Sequence, residues 1–361
     1  MSLRINFIAP INPTSYGLCS SHILKEMTKL GHKISLFPIG QIQPAYDEFI
    51  PALQQGLENA KMFDPKAISL RKYHQFDMAQ HVGMPKVGFT VFELNRLKDQ
   101  ELHHLSTLDL VISPTEWQKD IISKSIKESK NVVVELGVDT NVFKPYNMEK
   151  ANRPFTLLCV GKWEERKNYE NILKCFDRAF SPHHDVEIFL ICHCLMPEIQ
   201  KNIERQLAQT LSNMALAHKV KILPPNFMAL EQLVKIYNLA DCYISYARAE
   251  GFSLPNMEAM ACGKPIIATY CTGPTQYLDN EEGVCKHGWL IKPTRLIPAN
   301  DGVFFDGFGE WCDFNNDHLI EAMRYAYQNW KGVTNSYNVN RAAQFTWENT
   351  AKKLTEVLTN L

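Results

Sequence analysis

Two glutamates with seven residues between them are the side chains of this sequence whose types and spacing indicate chemistry. Glu250 and Glu258 lie in the stretch 250–269, which reads EGFSLPNMEAMACGKPIIAT. Carboxylates accept hydrogen bonds from hydroxyl groups, whereas a phosphate is bound by backbone N–H groups at the start of a helix. Two arbitrary glutamates would be solvated surface side chains, because charged residues are mostly exposed. The elements around this pair favour a ligand site instead.

Those elements predict a βαβ unit. A buried strand is predicted at 242–244, a helix that starts after Ser253 and ends at Gly263, and a second strand at 266–268. This topology places the helix N-terminus at the carboxyl edge of a parallel sheet, where anionic ligands bind. The backbone N–H groups of Ser253 and Leu254 are therefore candidate phosphate ligands.

A basic loop follows another predicted strand, at 155–160. Its sequence, GKWEERKN at 161–168, carries three cationic side chains in a loop before a predicted helix, and such groups can bind a phosphate. Arg166 and Lys167 are the favoured phosphate ligands, and Lys162 is a further candidate. An Asp-x-Asp pair, which could hold a metal ion beside a phosphate, does not occur in this sequence.

Together, the stretch 250–269 and the loop 161–168 resemble the E-x7-E signature and the diphosphate loop of retaining glycosyltransferases, in particular family 4 (glycosyl transferases group 1) of the GT-B fold. The resemblance implies an α/β protein with two Rossmann-like parallel-sheet domains that face a central cleft. It implies transfer of a sugar from a nucleoside diphosphate sugar, of the UDP or GDP type, to an acceptor hydroxyl. Retention of configuration, no catalytic metal and no cofactor besides the donor are also implied.

The resemblance assigns roles to individual positions. Glu258 would bind the ribose hydroxyls, Glu250 would hold hydroxyls of the transferred sugar, and Asn226 would lie beside the nucleobase. Backbone donors to the sugar and the phosphates would come from four consecutive residues: Gly251, Phe252, Ser253 and Leu254.

The amino-terminal half provides weaker candidates. A βαβ start is predicted at 3–37, where Gly17 gives the first loop the freedom to approach a phosphate, although an ordinary turn explains that glycine equally well. Glu93 follows a predicted strand and is an acceptor-side candidate. Relatives carry a histidine here that contacts the donor sugar, so three histidines that the sequence does not separate are candidates: His81, His103 and His104.

The chain organisation follows from its alternating pattern. The domains are predicted at 1–150 and 151–340, followed by a terminal helix at 341–361. The resemblance implies that this helix crosses back to the first domain. The aromatic segment 294–314 is interpreted either as an insert near the cleft or as an aromatic-packed surface loop, the second being favoured. Cysteines at 192 and 194 lack a second ligand pair at zinc-finger spacing, so structural zinc is disfavoured.

Composition sets further bounds. The 361 residues carry a net charge of -1, which provides no overall basic field for nucleic acid. No apolar run reaches the roughly 18–20 residues that span a bilayer, and no signal peptide pattern opens the sequence, so a soluble cytoplasmic protein is expected.

Alternatives stay open on function. A nucleotide-sugar epimerase, a phosphorylase of the same fold and a non-catalytic nucleotide-sugar-binding subunit would all use such a donor site. The acceptor would be a sugar, a lipid-linked carrier, a protein or a modified nucleic-acid base, and the sequence leaves the oligomeric state open.

Overall fold

The chain is divided into two compact units. The computed structural model describes residues 2–127, 130–146, 153–192, 197–223 and 229–361. One unit comprises Met1–Gly137 and Gln344–Leu361, and the other comprises Val138–Ala343. The first unit therefore ends before the predicted bound at 150. The physical reason is local packing: Phe143 contacts Tyr237 edge to face, and the N–H of Tyr146 donates to Asn238 Oδ1 at 2.8 Å, both within the second unit.

The first unit is built on a parallel sheet. Its strands within the described residues are β1 (Arg4–Ala9), β2 (Lys33–Pro38), β3 (Ile68–Tyr73), β4 (Lys86–Thr90), β5 (Leu110–Ser113) and β6 (Asn131–Val133). They pair in the order β2-β1-β3-β4-β5-β6, and all pairs are parallel. This is the doubly wound order with its switch point between β1 and β3. The helices of this part of the chain are α1 (Ser15–Lys29), α2 (Ile50–Ala60), α3 (Asp99–Ser106) and α4 (Glu116–Ser123).

The second unit repeats this architecture. Its strands are β7 (Phe155–Val160), β8 (Val186–Ile191), β9 (Val220–Ile222), β10 (Cys242–Ser245), β11 (Ile266–Thr269), β12 (Gly283–Cys285), β13 (Gly288–Ile291), β14 (Arg295–Asn300) and β15 (Asp306–Asp313). Its helices are α5 (Tyr169–Ala179), α6 (Pro197–Ser212), α7 (Leu230–Leu239), α8 (Leu254–Ala261), α9 (Asn316–Asn329) and α10 (Ser336–Ala342). The large sheet has the order β12-β13-β11-β10-β7-β8-β9, and every pair except β12–β13 is parallel.

The strand order of the second sheet locates its ligand edge. The chain runs from β7 outward through β8 to β9, then returns to place β10 on the other side of β7. The switch point is therefore between β7 and β10. In doubly wound sheets, ligands bind in the crevice outside the carboxyl ends of the strands at such a point.

A final helix, α11 (Trp347–Thr359), belongs to the first unit. It packs on α1, where the Trp347 ring stacks on the His22 ring with centroids 4.7 Å apart. Gly137 sits beneath the start of α11, because a Cβ there would lie 2.3 Å from the Trp347 nitrogen. Because glycine has no side chain, the backbone at Gly137 can approach the backbone at 346–347 closely.

The aromatic segment 294–314 is a two-stranded antiparallel hairpin, β14–β15. The favoured interpretation as a surface loop is wrong, because 295–300 and 306–313 pair as strands, with a register irregularity between Pro298 and Asn300. Trp311 is 1% exposed and contacts the Phe305 ring edge to face. The base of the hairpin is joined to the sheet edge, since the N–H of Cys312 donates to the carbonyl of Arg248 at 3.1 Å.

Candidate functional site

The loops that follow β7 and β10 meet at the switch point of the second sheet. Their backbones are joined directly, because the N–H of Arg248 donates to the carbonyl of Arg166 at 2.8 Å. The neighbouring pairing of β7 and β10 produces this contact between segments about eighty residues apart in sequence. The basic loop and the glutamate stretch therefore form one site.

Helix α8 begins at this edge. Ser253 precedes it in a left-handed conformation (φ 69°), and Gly263 follows it with φ 70° as the predicted closing glycine. The Ser253 side chain forms no capping hydrogen bond to the helix. Neither Phe252 nor Ser253 uses its N–H in a hydrogen bond with the described residues. The helix start therefore offers main-chain donors, as an anion site requires.

Three charged side chains form the centre of the site. Lys167 Nζ contacts Glu250 Oε1 directly, and Arg166 Nη1 donates to Glu250 Oε2 at 3.1 Å. Each of these side chains is at most 14% exposed. The structure thus brings together the predicted residues Arg166, Lys167 and Glu250, and both carboxylate oxygens face cations.

Arg166 also braces the two loops. Its Nη1 donates to the carbonyl of Ala249 at 2.7 Å, and its Nη2 donates to Glu164 Oε2 at 2.8 Å. Burial would raise the pKa of Glu164, but Arg166 and Lys162 beside it lower that pKa to about 2. Glu164 is therefore ionised at neutral pH and holds Arg166 in place.

Lys162 lies apart from this cluster. Its Nζ contacts Glu164 Oε1 at 2.8 Å and stands 5.6 Å from the centre of the Phe304 ring. Its side chain is about half exposed. Its predicted part in phosphate binding stays a prediction, and its observed partners are Glu164 and the hairpin tip.

Glu258 lies in α8, one turn inside the helix. Tyr237 Oη donates to Glu258 Oε2 at 2.7 Å. Burial raises the pKa of Glu258 to about 7, although the hydrogen bond from Tyr237 works in the opposite direction. This carboxyl group is half-buried and titrates near neutral pH, so small changes in its surroundings change its charge.

Several residues of the site were not anticipated from the sequence. Thr272, with φ 53°, accepts a hydrogen bond from the N–H of Glu250 through its Oγ1 at 3.0 Å. Gly273 packs so closely that a Cβ there would lie 2.2 Å from the carbonyl oxygen of Gly251. The Thr-Gly-Pro turn directly after β11 was the available signal, since it too ends at the carboxyl edge.

Arg248 lies two residues before Glu250, and the sequence assigned it no role. Its Nη1 contacts Glu165, and its carbonyl accepts from the hairpin, so it links the basic loop to β15. Tyr237 had no sequence signal, because a tyrosine in an amphipathic helix is typical of an ordinary core position.

In the first unit, the predicted site residues mostly contact neighbouring residues of the same unit. Gly17 lies in the first turn of α1, and a Cβ there would lie 2.2 Å from the carbonyl oxygen of Asn12, so chain packing accounts for the glycine. His81 bonds to Ser69 Oγ at 2.8 Å and to the Met78 carbonyl at 3.0 Å, and burial lowers its pKa to about 4.

The remaining candidates lie at separate positions: two histidines on α3, Glu93 after β4, and Asn226 in the other unit. His104 Nδ1 accepts from the N–H of Met78 at 3.1 Å, and His103 is exposed on α3. Glu93 is half-buried in the segment after β4. Asn226, together with His193 and Cys194, lies outside the described residues.

The described part of the chain contains neither a metal-binding cluster nor a membrane-spanning helix. There, no group of three or more His, Cys, Asp or Glu side chains is arranged to hold a metal ion. Likewise, none of the helices found there is both long enough and apolar enough to cross a membrane.

Solved structures share this fold. HepE (Alr3699) of Anabaena, in complex with UDP and glucose, has a TM-score of 0.71 and 16% identity, covering 99% of this chain and 100% of that chain. A sucrose-phosphate synthase of Thermosynechococcus elongatus has a TM-score of 0.71 and 15% identity, covering 99% and 98%. The chain therefore has the α/β fold of GT-B glycosyltransferases, with parallel-sheet Rossmann-like domains.

Sequence comparison matches part of the chain to a family model. Residues 143–302, which contain the whole ionic cluster, match the model of the family "Glycosyl transferases group 1". A probable sucrose-phosphate synthase of Thermosipho melanesiensis is 26% identical over 59% of this chain and 45% of that protein. A D-inositol 3-phosphate glycosyltransferase of Corynebacterium diphtheriae is 24% identical over 73% of this chain and 58% of that protein. The aligned part thus spans about half the length of these curated relatives.

Proposed function

We propose that the protein is a retaining glycosyltransferase of family 4, which moves a sugar from a nucleoside diphosphate sugar to an acceptor hydroxyl. The observation that carries this proposal is the cluster of Arg166, Lys167 and Glu250 beside the start of α8. Cations, helix N–H groups and a carboxylate are the groups that a diphosphate and a sugar need. The relatives' names and the neighbour bound to UDP-glucose support this donor class.

The ionic cluster suggests how the donor enters. Glu250 pairs with Lys167 through one carboxylate oxygen and with Arg166 through the other. An incoming diphosphate competes for Lys167, which releases one oxygen of Glu250 to accept a hydrogen bond from a sugar hydroxyl. Arg166 keeps its bond to the Ala249 carbonyl and holds the loop in place.

In the proposed reaction, the bond between C1 of the sugar and the diphosphate oxygen breaks. The acceptor oxygen bonds to C1 on the same face, and its proton passes to the departing phosphate oxygen. Negative charge grows on the diphosphate, where Lys167 and the N–H groups at the start of α8 stabilise it. On this proposal these groups take the place of a metal ion, and the donor is the only small molecule besides the acceptor.

Glu258 is proposed to hold the ribose of a UDP or GDP donor. Its ionised carboxylate accepts two hydrogen bonds from neighbouring hydroxyls, and it lies one helical turn from the phosphate-binding end of α8. Relatives named for GDP-mannose and for UDP-N-acetylglucosamine support either base.

A thermal-shift screen with UDP, GDP, ADP and TDP sugars tests the donor class. A ligand that binds the folded state at a hundred times its Kd stabilises by about 2.7 kcal/mol, so one nucleotide should raise Tm clearly above the others. Unchanged Tm with all four contradicts the proposal. Donor consumption in the presence of sugar acceptors, with NMR of the new anomeric bond, then tests transfer and retention.

The same assay separates the alternatives. Conversion of a nucleotide sugar without any acceptor indicates an epimerase, and cleavage that requires inorganic phosphate indicates a phosphorylase. Binding without turnover, across sugar, lipid-linked, peptide and oligonucleotide acceptors, indicates a non-catalytic subunit.

A further inference from the structure

A second concave surface lies on the second unit, along the outer side of α5. It is a groove of about 1030 Å³ between α5, α6 and the tip of the β14–β15 hairpin. Small-molecule sites typically measure about 300–1,000 Å³, so this groove has room for a ligand longer than one sugar ring. One end of the groove reaches the basic loop at Lys162 and Glu164, and the rest extends away from the ionic cluster.

Amide side chains line one wall of the groove. Asn202, Gln206, Gln209 and Asn213 are exposed and lie three to four positions apart, which puts them on one face of α6 and its C-terminal extension. A primary amide has two N–H donors and one acceptor oxygen. Gln206 Oε1 already accepts from Trp163, and Asn213 Nδ2 already donates to the Gln209 carbonyl, so the row keeps its other amide groups for a ligand. Such a row matches successive hydroxyl groups, each of which both donates and accepts.

Two aromatic rings are held at the same groove. Trp163 is fixed on both sides, because its Nε1 donates to Gln206 Oε1 at 3.0 Å and its ring stacks on Tyr169 with centroids 5.5 Å apart. Phe304 is 51% exposed at the hairpin tip. An aromatic face packs well against the C–H face of a pyranose ring.

The hairpin tip is ordered, although it presents apolar side chains to solvent. Asp301 Oδ1 accepts from the N–H groups of Val303, Phe304 and Phe305 at 2.8–2.9 Å. Phe305 is anchored on buried Trp311. The backbone beneath Phe304 is therefore ordered, which lowers the ordering cost of ligand binding, and the exposed ring lies beside Lys162.

The side chains that line the groove carry a net negative charge, which disfavours anionic ligands. Acidic lining residues outnumber basic ones. Each of the basic ones is already engaged in an ion pair: Lys162 with Glu164, Lys174 with Glu170, and Arg178 with Asp317. A second nucleotide or a phosphorylated sugar would meet carboxylates here, whereas a neutral polyhydroxyl chain would not be repelled.

We propose that this groove binds a neutral oligosaccharide, with Phe304 and Trp163 against the sugar faces and the α6 amides on the hydroxyls. The site goes beyond the proposed function, because it does not depend on which nucleotide binds at the ionic cluster. It would hold a glycan chain beside the donor loop.

Titration calorimetry of the whole chain with maltohexaose, cellohexaose and mannohexaose tests this site. At least one of these probes should bind, and Phe304→Ser should weaken that binding about tenfold, because a ring contributes both burial and stacking. Gln209→Ala should weaken it as well, while leaving UDP affinity unchanged. Leu296→Ser is the matched control: Leu296 is an exposed apolar residue of the same hairpin outside the groove, so binding should stay at the wild-type level.

The outcomes separate this site from the donor site. Failure of all three probes to bind the wild-type protein overturns the groove proposal, as does binding that survives both Phe304→Ser and Gln209→Ala. UDP binding with no oligosaccharide binding leaves the proposed transfer function standing alone. Oligosaccharide binding without nucleotide binding leaves the groove standing and overturns the donor site.

Discussion

At the scale of single residues, Glu250 is the side chain on which the account depends most. The sequence placed it at the carboxyl edge of a sheet, next to a helix start. The ion pairs with Arg166 and Lys167 could not be predicted, because they join positions more than eighty residues apart and depend on β7 and β10 being neighbours. Strand order follows from the whole fold and leaves no local signal in the sequence.

We expect Glu250→Gln to separate turnover from nucleotide binding. The substitution keeps the shape of the side chain but removes the charge that competes for Lys167, so UDP affinity should be retained or increased. Turnover should fall about 10- to 100-fold, since a charged hydrogen bond to the sugar is worth ~1.5–3 kcal/mol. Calorimetry with UDP and steady-state kinetics measure the two quantities.

Glu165→Gln is the control for that variant. Glu165 lies in the same basic loop, but its half-exposed carboxylate contacts Arg248. It should change turnover much less. Equal losses of turnover and UDP affinity in Glu250→Gln would show that Glu250 supports the fold of the loop and not the sugar.

Glu258 should make nucleotide binding depend on pH near neutrality. Its pKa of about 7 means that the carboxyl is mostly protonated at pH 6 and mostly ionised at pH 8. If the ionised form holds the ribose, UDP affinity should rise by up to roughly tenfold between these values. In Glu258→Gln this increase in UDP affinity should be absent, and affinity should vary with pH only through the ionisation of the ligand's own phosphate. Parallel pH dependences in both proteins would contradict the ribose role.

At the scale of elements, the apolar strands were predictable and the polar ones were not. β7 has the predicted bounds, because it is an almost continuous buried run that ends before Gly161. β3 was missed, although it lies inside the first sheet, because Arg71 and Lys72 interrupt its apolar pattern. The charge of Arg71 is compensated by Asp77, whose Oδ2 lies 2.7 Å from Arg71 Nη2. The Lys72 ammonium lies over the rings of Tyr16 and Phe89. Such compensation depends on contacts made in the folded protein, so the sequence of the strand alone does not reveal it.

The β14–β15 hairpin was missed for a different reason. Glycines and acidic residues make 300–310 look like a turn-rich loop. The acidic residue Asp301 instead closes the hairpin by accepting three backbone N–H bonds. A short-range pattern of polar residues does not distinguish a structured tip from an irregular loop.

The packing of α11 on α1 should make the first unit sensitive to acid. Burial, with help from Lys25 and Lys29, lowers the pKa of His22 to about 3, against an ordinary value of 6.5. Below pH 6.5 the unfolded chain gains a proton that the folded chain does not, so the free energy of unfolding falls as the pH decreases toward 3. This group contributes roughly 1.4 kcal/mol per pH unit in that window.

His22→Phe tests that expectation. Phenylalanine keeps an aromatic ring against Trp347 and does not titrate. Urea unfolding between pH 6.5 and pH 4.5 should show a smaller loss of stability in the variant than in the wild type. The same slope in both proteins would contradict a buried neutral histidine at this contact.

In the molecule as a whole, both units are built on a parallel sheet, but the candidate functional residues are clustered only in the second unit among the described residues. Within the described residues, the second unit assembles the cations, the helix start and both glutamates of the signature at one switch point. The histidines predicted for the first unit are mostly engaged in local structural bonds. The long motif and the basic loop thus predicted residues that the structure brings together, whereas the roles of the first unit's candidates stay predictions.

The central claim is that Lys167 and the start of α8 bind a diphosphate. Calorimetric titration of the wild-type protein and Lys167→Ala with UDP, GDP and the matching nucleosides tests it most directly. We predict that one diphosphate binds at least about tenfold more tightly than its nucleoside, and that Lys167→Ala loses ~1.5–3 kcal/mol of that binding. Equal affinity for nucleoside and diphosphate, or an unchanged Kd in Lys167→Ala, would contradict the account.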